Sequence, residues 1–535
     1  MTTIHLKDHV RTTRKVSVAA LLFLSLATLL PAQSTPKHAP AQNSATAESR
    51  AARGLEVARA NPLALRAWLL KMPKGADLHM HLGGAIYAET FIRDAAEDNL
   101  CVDTTKLSFV KIVGASTSQP PCANGQVPAA HAFQDQHLYD ALIDSFSMRS
   151  FVPATGESAH DHFFDTFGKF GGTAPGHKGE WLDEVATRAA AQNEQYLEIM
   201  ETPDFSHTAT LALATHWSED FNSLREDLLA HGLRDDVAVA RTHFDEAESV
   251  RREREHCGAA DAAPACSIEI RYLYQVLRGL PKEIVFAQTL LGFEVASADS
   301  RVVGINLVMP EDGYVSMNDY ALHMKMVAYL HATYPKVHIS LHAGEIAPGL
   351  VPYEGLCCHI RLAVEEAHAE RIGHGVDVMY ENRPHELLKE MAAKHVMVEV
   401  NLTSNDVILG ISGKDHPLPI YLQFGVPVAL STDDEGVSRI DLTHEYVRAV
   451  ETYSLSYFDL KQMVRTGIEH SFLPGESLWP SADTDNFNQW ADACAKDAPG
   501  AEKPTQRCAD FLKSSEKAQQ QWELERRFKA FEAGF

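Results

Sequence analysis

The stretch GADLHMHLGG, residues 75–84, places His79 and His81 one residue apart in a short apolar run. Side chains alternate between the two faces of a strand, so both imidazoles would share one face. A catalytic zinc takes about three protein ligands and keeps one position open. His342 in SLHAGE and Asp433 in LSTDDE are the candidates that would complete the set. An H-x-H pair alone fits two hydrogen-bonded histidines equally well. Three further residues could move protons beside such a site: Glu345 in HAGE, His374 in GHG and Asp434 in TDD. Taken singly, Glu345 also suits a solvated helix start, His374 a turn and Asp434 a helix cap. His160 and His162 in AHDHFFDTF repeat the H-x-H spacing, but the phenylalanines there indicate a helix, and no metal is assigned to them.

These residues need elements that bring them together. Eight short β-rich runs follow Gly75: GADLHMHL, QYLEIMET (195–202), DVAVARTHF (236–244), VVGINLVMP (302–310), HISLHAGE (338–345), RIGHGV (371–376), VMVEVNLTSN (396–405) and VPVALSTDD (426–434). Helical patterns such as DYALHMKMVAYLHATY and PHELLKEMAAKH separate the later ones. Eight strands alternating with helices predict a (β/α)8 TIM barrel, and near-continuous apolar strands suit a parallel sheet covered by helices. The polar candidates stand at the carboxyl ends of their runs, where such barrels carry their active sites. The chain divides into a signal peptide (1–33), a linker (34–60), a barrel (61–480) with insertions at 85–194 and 245–301, and a helical C-terminal tail (481–535).

The amino terminus supports export. Arg11, Arg14 and Lys15 precede a mainly apolar run from Val16 to Leu30, followed by small, polar and proline-containing residues. This is the pattern of a cleaved signal peptide. A membrane anchor is the alternative, although the run is short for a span of about 20 residues. The expected location is secreted or periplasmic. The whole chain of 535 residues carries a formal charge of −24. Removing residues 1–32 deletes Lys7, Arg11, Arg14, Lys15 and Asp8, which moves it to −27. Such a surface repels nucleic acid and anionic lipid. Six of the eight cysteines lie close in sequence, as Cys101 with Cys122, Cys257 with Cys266, and Cys494 with Cys508. Three local disulfides suit an oxidising compartment, though connectivity is not readable from sequence. The adjacent Cys357 and Cys358 are expected to be packed thiols.

MPKGADLHMHLGGA, HAGE, RIGHG and STDD, in this order, resemble the adenosine deaminase family of metal-dependent aminohydrolases. The MPKGA lead-in, the VVGINLV run and the exported context resemble its secreted, growth-factor-related branch. The resemblance covers about Met72 to Arg439. It implies that His79, His81, His342 and Asp433 bind one Zn2+ per chain. It also implies that Glu345 protonates the purine ring nitrogen beside the attacked carbon, that His374 orients or deprotonates the attacking water, and that Asp434 contacts the purine. His81, Gly83 and Met309 would line the substrate. The chemistry is consistent with those types. A metal lowers the pKa of bound water to about 7, and a positioned acid contributes about 10²–10⁴-fold. Imidazoles and a carboxylate also suit iron, cobalt or manganese. FFDTFGKF lies where the family places a helix over the substrate, and its aromatic rings could wall a flat base.

Three positions depart from the family pattern. Gly83 stands where adenosine-specific members carry an acidic residue. Met309 replaces the glycine that ends the fourth-strand motif, and Glu435 replaces the proline after the acidic pair. The expected activity is deamination of adenosine or 2′-deoxyadenosine to the inosine product and ammonia. The alternatives are another aminopurine, amide or ester substrate for the same metallohydrolase barrel, or a non-catalytic secreted binding protein. The expected partner is a small purine nucleoside, with no nucleic acid and no membrane after signal cleavage. A homodimer is compatible with the sequence.

Overall fold

The structure is a computed structural model, and it describes residues 46–110, 122–153, 156–173, 176–480 and 487–535. The signal-peptide segment lies outside the described residues. Eight strands form one parallel sheet in sequential order: β1 (Gly75–His81), β2 (Glu194–Glu201), β3 (Glu269–Leu277), β4 (Val302–Val308), β5 (His338–Ala343), β6 (Arg371–His374), β7 (Met397–Val400) and β8 (Val428–Leu430). Helices lie between successive strands, and the apolar side chains of strands and helices merge into one core. This is the expected (β/α)8 barrel.

The sheet closes at its functional end. Met80 and Asp433 form a parallel bridge between β1 and the residues after β8. The Asp433 amide donates to the His79 carbonyl (2.8 Å), and the His81 amide donates to the Asp433 carbonyl (3.1 Å). Backbone pairing at the seam therefore sets Asp433 beside the two histidines of β1.

The third strand differs from the sequence expectation. DVAVARTHF belongs to the helix Asp235–Arg254, and the true β3 is EIRYLYQVL, inside the segment 245–301 expected to be an insertion. The buried residues of that helix are Asp236, Ala240, Phe244, Ala247 and Arg251. Their spacing of three to four follows the helical period and not the strand period of two. The helix Lys282–Ala298 also falls in that segment and packs on β3 and β4. Within 34–60, residues Ala47–Ala58 form a helix capped by the Thr46 hydroxyl, where a linker was expected. The segment between β1 and β2 holds helices and a small three-stranded antiparallel sheet centred on Cys101–Asp103. In the tail, helices Gln506–Ser514 and Glu516–Glu532 follow one another, and the second packs on β2 and on the helix Tyr457–Glu469.

All eight cysteines are paired. Cys101–Cys122, Cys257–Cys266 and Cys494–Cys508 are the three local disulfides the spacing suggested. Cys357–Cys358 corrects the expectation of packed thiols: the two neighbours are joined to each other, with Cys358 in the left-handed region at φ 87°.

Candidate metal centre and active site

Three imidazoles and one carboxylate meet at the mouth of the barrel. His342 Nε2 lies 3.1 Å from His79 Nε2 and 3.2 Å from His81 Nε2. Asp433 Oδ1 lies 3.5 Å from His79 Nε2 and 3.2 Å from His81 Nε2. The opposite ring nitrogen of each histidine faces an oxygen. His79 Nδ1 meets Glu399 Oε2 (2.6 Å), His81 Nδ1 meets Gln275 Oε1 (2.8 Å) and His342 Nδ1 meets Asn306 Oδ1 (2.7 Å). A ring that donates through Nδ1 keeps a lone pair on Nε2. Three lone pairs and a carboxylate pointing at one spot repel one another unless a cation sits among them. The donor set therefore fits a metal ion, and nitrogen with carboxylate oxygen is a combination that zinc and several other transition metals accept.

The supporting shell is built from buried polar residues on neighbouring strands. Glu399 on β7 also accepts from Ser340 and pairs with Arg371 Nε (2.6 Å). Arg371 in turn pairs with Glu198 on β2 (2.6 Å). Asn306 on β4 accepts from the His342 amide as well as from its ring. Ser404 donates to Asp433 Oδ2 (2.6 Å). Such outer partners set ring orientation and ligand basicity. Glycines make room for the ligands. A Cβ on Gly373 would come within 2.5 Å of the His79 ring, and one on Gly84 within 1.4 Å of Asp434 Oδ1.

The proton-moving candidates lie against this cluster. Glu345 follows the end of β5, with Oε1 3.5 Å from His374 Nε2. Burial, then the neighbouring Asp433 and Glu311 charges, raise the Glu345 carboxyl well above the usual range. Glu311 accepts the Gly344 and Glu345 amides and so fixes the HAGE turn. Its carboxyl stays ionised at about 2, because the His359 bond and the Arg278 charge outweigh its burial. Asp434 is pushed up to about 8 by burial and then by Asp433, and its buried Oδ1 has no partner among the described residues. His374 Nε2 lies 4.0 Å from Asp433 Oδ2. His374 and Asp433 both hold left-handed backbone, at φ 72° and 62°. Strain of this kind persists where the surrounding structure over-determines it.

A cavity of about 500 Å³ opens onto the cluster, lined by His81, Gly83, Met309, Glu345, Asp433 and Asp434 among others. Phe163, Phe164 and Phe167 of the helix Ala159–Phe170 form an aromatic wall. Met309 keeps a glycine-like backbone at φ 85°, and Arg278 pins its carbonyl from two nitrogens (3.1 and 3.2 Å). A Cβ on Gly83 would meet nothing within 4 Å, so the space beside it is open. Lys178 and Glu201, paired at 2.8 Å, line the same cavity. Every predicted site residue thus reaches the one mouth. His160 and His162 do not; His160 pairs with Asp312, and His162 faces the Asp144 and Ser147 carbonyls.

Residues 182–478 match the family model described as adenosine deaminase. The adenosine deaminase of Shewanella loihica is 35% identical over 136 residues, covering 25% of this chain and 38% of that enzyme. The adenosine deaminase of Clostridium kluyveri is 22% identical over 416 residues, covering 77% of this chain and 92% of that enzyme. Among solved structures, an amidohydrolase from Burkholderia ambifaria with bound Zn is 18% identical, with a TM-score of 0.50 over 77% of this chain and 88% of that one. An Arabidopsis N6-mAMP deaminase is 21% identical, also with a TM-score of 0.50, over 76% of this chain and 96% of that one. These two likenesses concern the fold. The family match spans more than half of the chain and includes His342, Glu345, His374, Asp433 and Asp434: the chain belongs to the adenosine deaminase family.

Proposed function

We propose that the protein is a zinc-dependent aminopurine deaminase acting on adenosine and 2′-deoxyadenosine. The observation that carries this reading is the convergence of three Nε2 atoms and Asp433 beside the buried Glu345, at the floor of an aromatic-walled cavity. His79, His81, His342 and Asp433 would hold the ion, which when bound would supply a water nucleophile near neutral pH. The water oxygen adds to the ring carbon bearing the amino group, and Glu345 delivers its proton to the adjacent ring nitrogen. The C–N bond then breaks and the amine leaves as ammonia, one proton of the attacking water passing to the amine and the other returning to the Glu345 carboxylate, which restores the ring. His374 orients the water, and Asp434 contacts the purine. The phenylalanines of the overlying helix stack on or edge the base, and Gly83 and Met309 line the rest of the substrate. Lys178 holds Glu201 ionised, with His243 assisting, so that Glu201 is an acceptor for sugar hydroxyls. We further propose that the chain is exported and belongs to the growth-factor-related branch; the basic and apolar amino terminus and the pairing of all eight cysteines support this.

Ammonia release from adenosine, 2′-deoxyadenosine, adenine and adenosine monophosphate by the zinc-loaded protein tests the reading. The nucleosides should be turned over faster than the base or the nucleotide. A protein that deaminates none of the four contradicts the reading, and fastest turnover of the nucleotide moves the substrate to another aminopurine.

A further inference from the structure

His374 is the one histidine of the cluster whose inner nitrogen faces donors. The chain of contacts begins outside the site, at a backbone amide whose direction is fixed. The Leu418 N–H donates to His416 Nδ1 across 3.1 Å. A neutral imidazole that accepts at Nδ1 carries its hydrogen on Nε2. His416 Nε2 lies 3.0 Å from Asn405 Oδ1 and therefore donates to it. That contact fixes the Asn405 amide: its oxygen faces His416, and its NH2 group faces His374 Nδ1 at 2.9 Å. The Asn401 Nδ2 stands 3.4 Å from the same nitrogen. An amide NH2 has only hydrogens to offer, so His374 Nδ1 accepts. All four side chains are buried, at 0% exposure for His374, Asn401 and Asn405 and 2% for His416, so bulk water does not compete. His374 Nε2 is left aimed at Glu345 and Asp433, with no hydrogen-bond partner among the described residues.

We propose that His416 and Asn405 are positioning residues that hold His374 as the Nε2–H tautomer, so that His374 donates a hydrogen bond to the attacking water and does not take its proton. The same assignment removes His374 from the metal ligands, although its Nε2 shares the cluster with His79, His342 and Asp433. A metal-binding ring must present a lone pair, and His374 presents a hydrogen where His79, His81 and His342 present lone pairs. The tautomer stands independently of the substrate; only its kinetic consequence rests on the deaminase reading.

Two measurements test it on the full zinc-loaded chain. The first is histidine-selective 15N NMR, with the His374 signals identified by their loss in His374→Asn. The expected pattern is a protonated Nε2 and a bare Nδ1. In Asn405→Asp, a carboxylate that only accepts faces both rings, and the His374 pattern should reverse. A protonated Nδ1 in the wild-type chain overturns the proposal, whether or not adenosine is deaminated. The second is a kinetic comparison at His416. His416→Gln keeps a donor toward Asn405 and should hold kcat within about threefold. His416→Leu removes that donor and should lower kcat about tenfold, with KM and zinc content unchanged. Equal losses of kcat in the two variants overturn the positioning role. Absence of ammonia release in the wild type would instead count against the deaminase reading and leave the NMR measurement to decide the tautomer.

Discussion

Each of His79, His81 and His342 faces an oxygen with Nδ1 and turns Nε2 toward one shared position. Removing a ligand should therefore remove the ion. His342→Ala should lose bound zinc and activity together, as read by metal analysis and ammonia release; full zinc content and turnover in that variant would exclude the site. Glu345 has a different proposed role, on the substrate and not on the ion. Glu345→Gln should keep zinc and substrate binding while kcat falls by about a hundredfold or more. Near-normal turnover would exclude it as the proton donor. Gly83 leaves open space beside the cavity, so kcat/KM for adenosine and 5′-deoxyadenosine should be nearly equal. A preference of about a hundredfold for adenosine would show that another residue, such as Glu201, reads the 5′ hydroxyl. The convergence of the four candidate ligands and Glu345 was legible in the sequence because few residue types bind a metal or donate a proton, and they stand in short, distinctive motifs. Their supports were not. Glu399, Gln275, Asn306 and Asn405 are single polar residues in ordinary segments, and only the barrel's closure shows which histidine each one meets.

At the scale of elements, the turn after β1 and the interior of the barrel set the constraints. Gly84 is packed against Asp434 so closely that any side chain displaces it. Gly84→Ala should lower kcat or raise KM for the purine while zinc content stays near one per chain; unchanged kinetics would show that Asp434 does not act on the substrate. A second element-scale prediction concerns pH and stability. His323 lies on the buried face of the helix Tyr314–Thr333, and both its ring nitrogens are buried without hydrogen-bond partners among the described residues. Burial, then the Arg278 charge, lower it to about 4 from an ordinary value of 6.5. Between those values the unfolded chain takes up a proton that the folded chain refuses. Its contribution to stability is therefore full above pH 6.5 and falls as pH drops toward 4, by about 3 kcal/mol at most. The stability of His323→Phe should thus gain on the wild type as pH falls through that window in chemical denaturation. A pH-independent difference would show that the ring is already protonated or solvated in the fold. The eight-strand count followed from the alternation of apolar runs, but the third run was assigned to the wrong segment. DVAVARTHF alternates over a few residues, yet its buried positions repeat every three to four across a 20-residue helix. EIRYLYQVL, rich in aromatic and β-branched residues, carries the stronger strand signal.

Across the whole molecule, the C-terminal helix braces the amino-terminal side of the barrel. Arg465 pairs with Glu525 (2.7 Å), Lys461 and Tyr457 both reach Glu532, and Arg527 donates to the Glu194 carbonyl at the start of β2. Deleting residues 516–535 would leave Arg465 without Glu525, remove one of the two acids facing Lys461, and uncover Trp68, which packs edge-on against Phe531. The truncated chain should melt several degrees lower in calorimetry, and an unchanged Tm would show that the tail is an appendage. The polar, helical character of the tail was legible in its sequence. Its docking was not, because the partners are single residues 60 to more than 300 positions away. The central claim, a barrel whose four side chains hold one ion that enables deamination, is tested most directly by reconstitution. Chelator-stripped protein is titrated with zinc while ammonia release from adenosine is followed. The account predicts no release without metal, a linear rise to one zinc per chain and a plateau beyond it. Full ammonia release from the metal-free chain, or none at any zinc ratio, would contradict it.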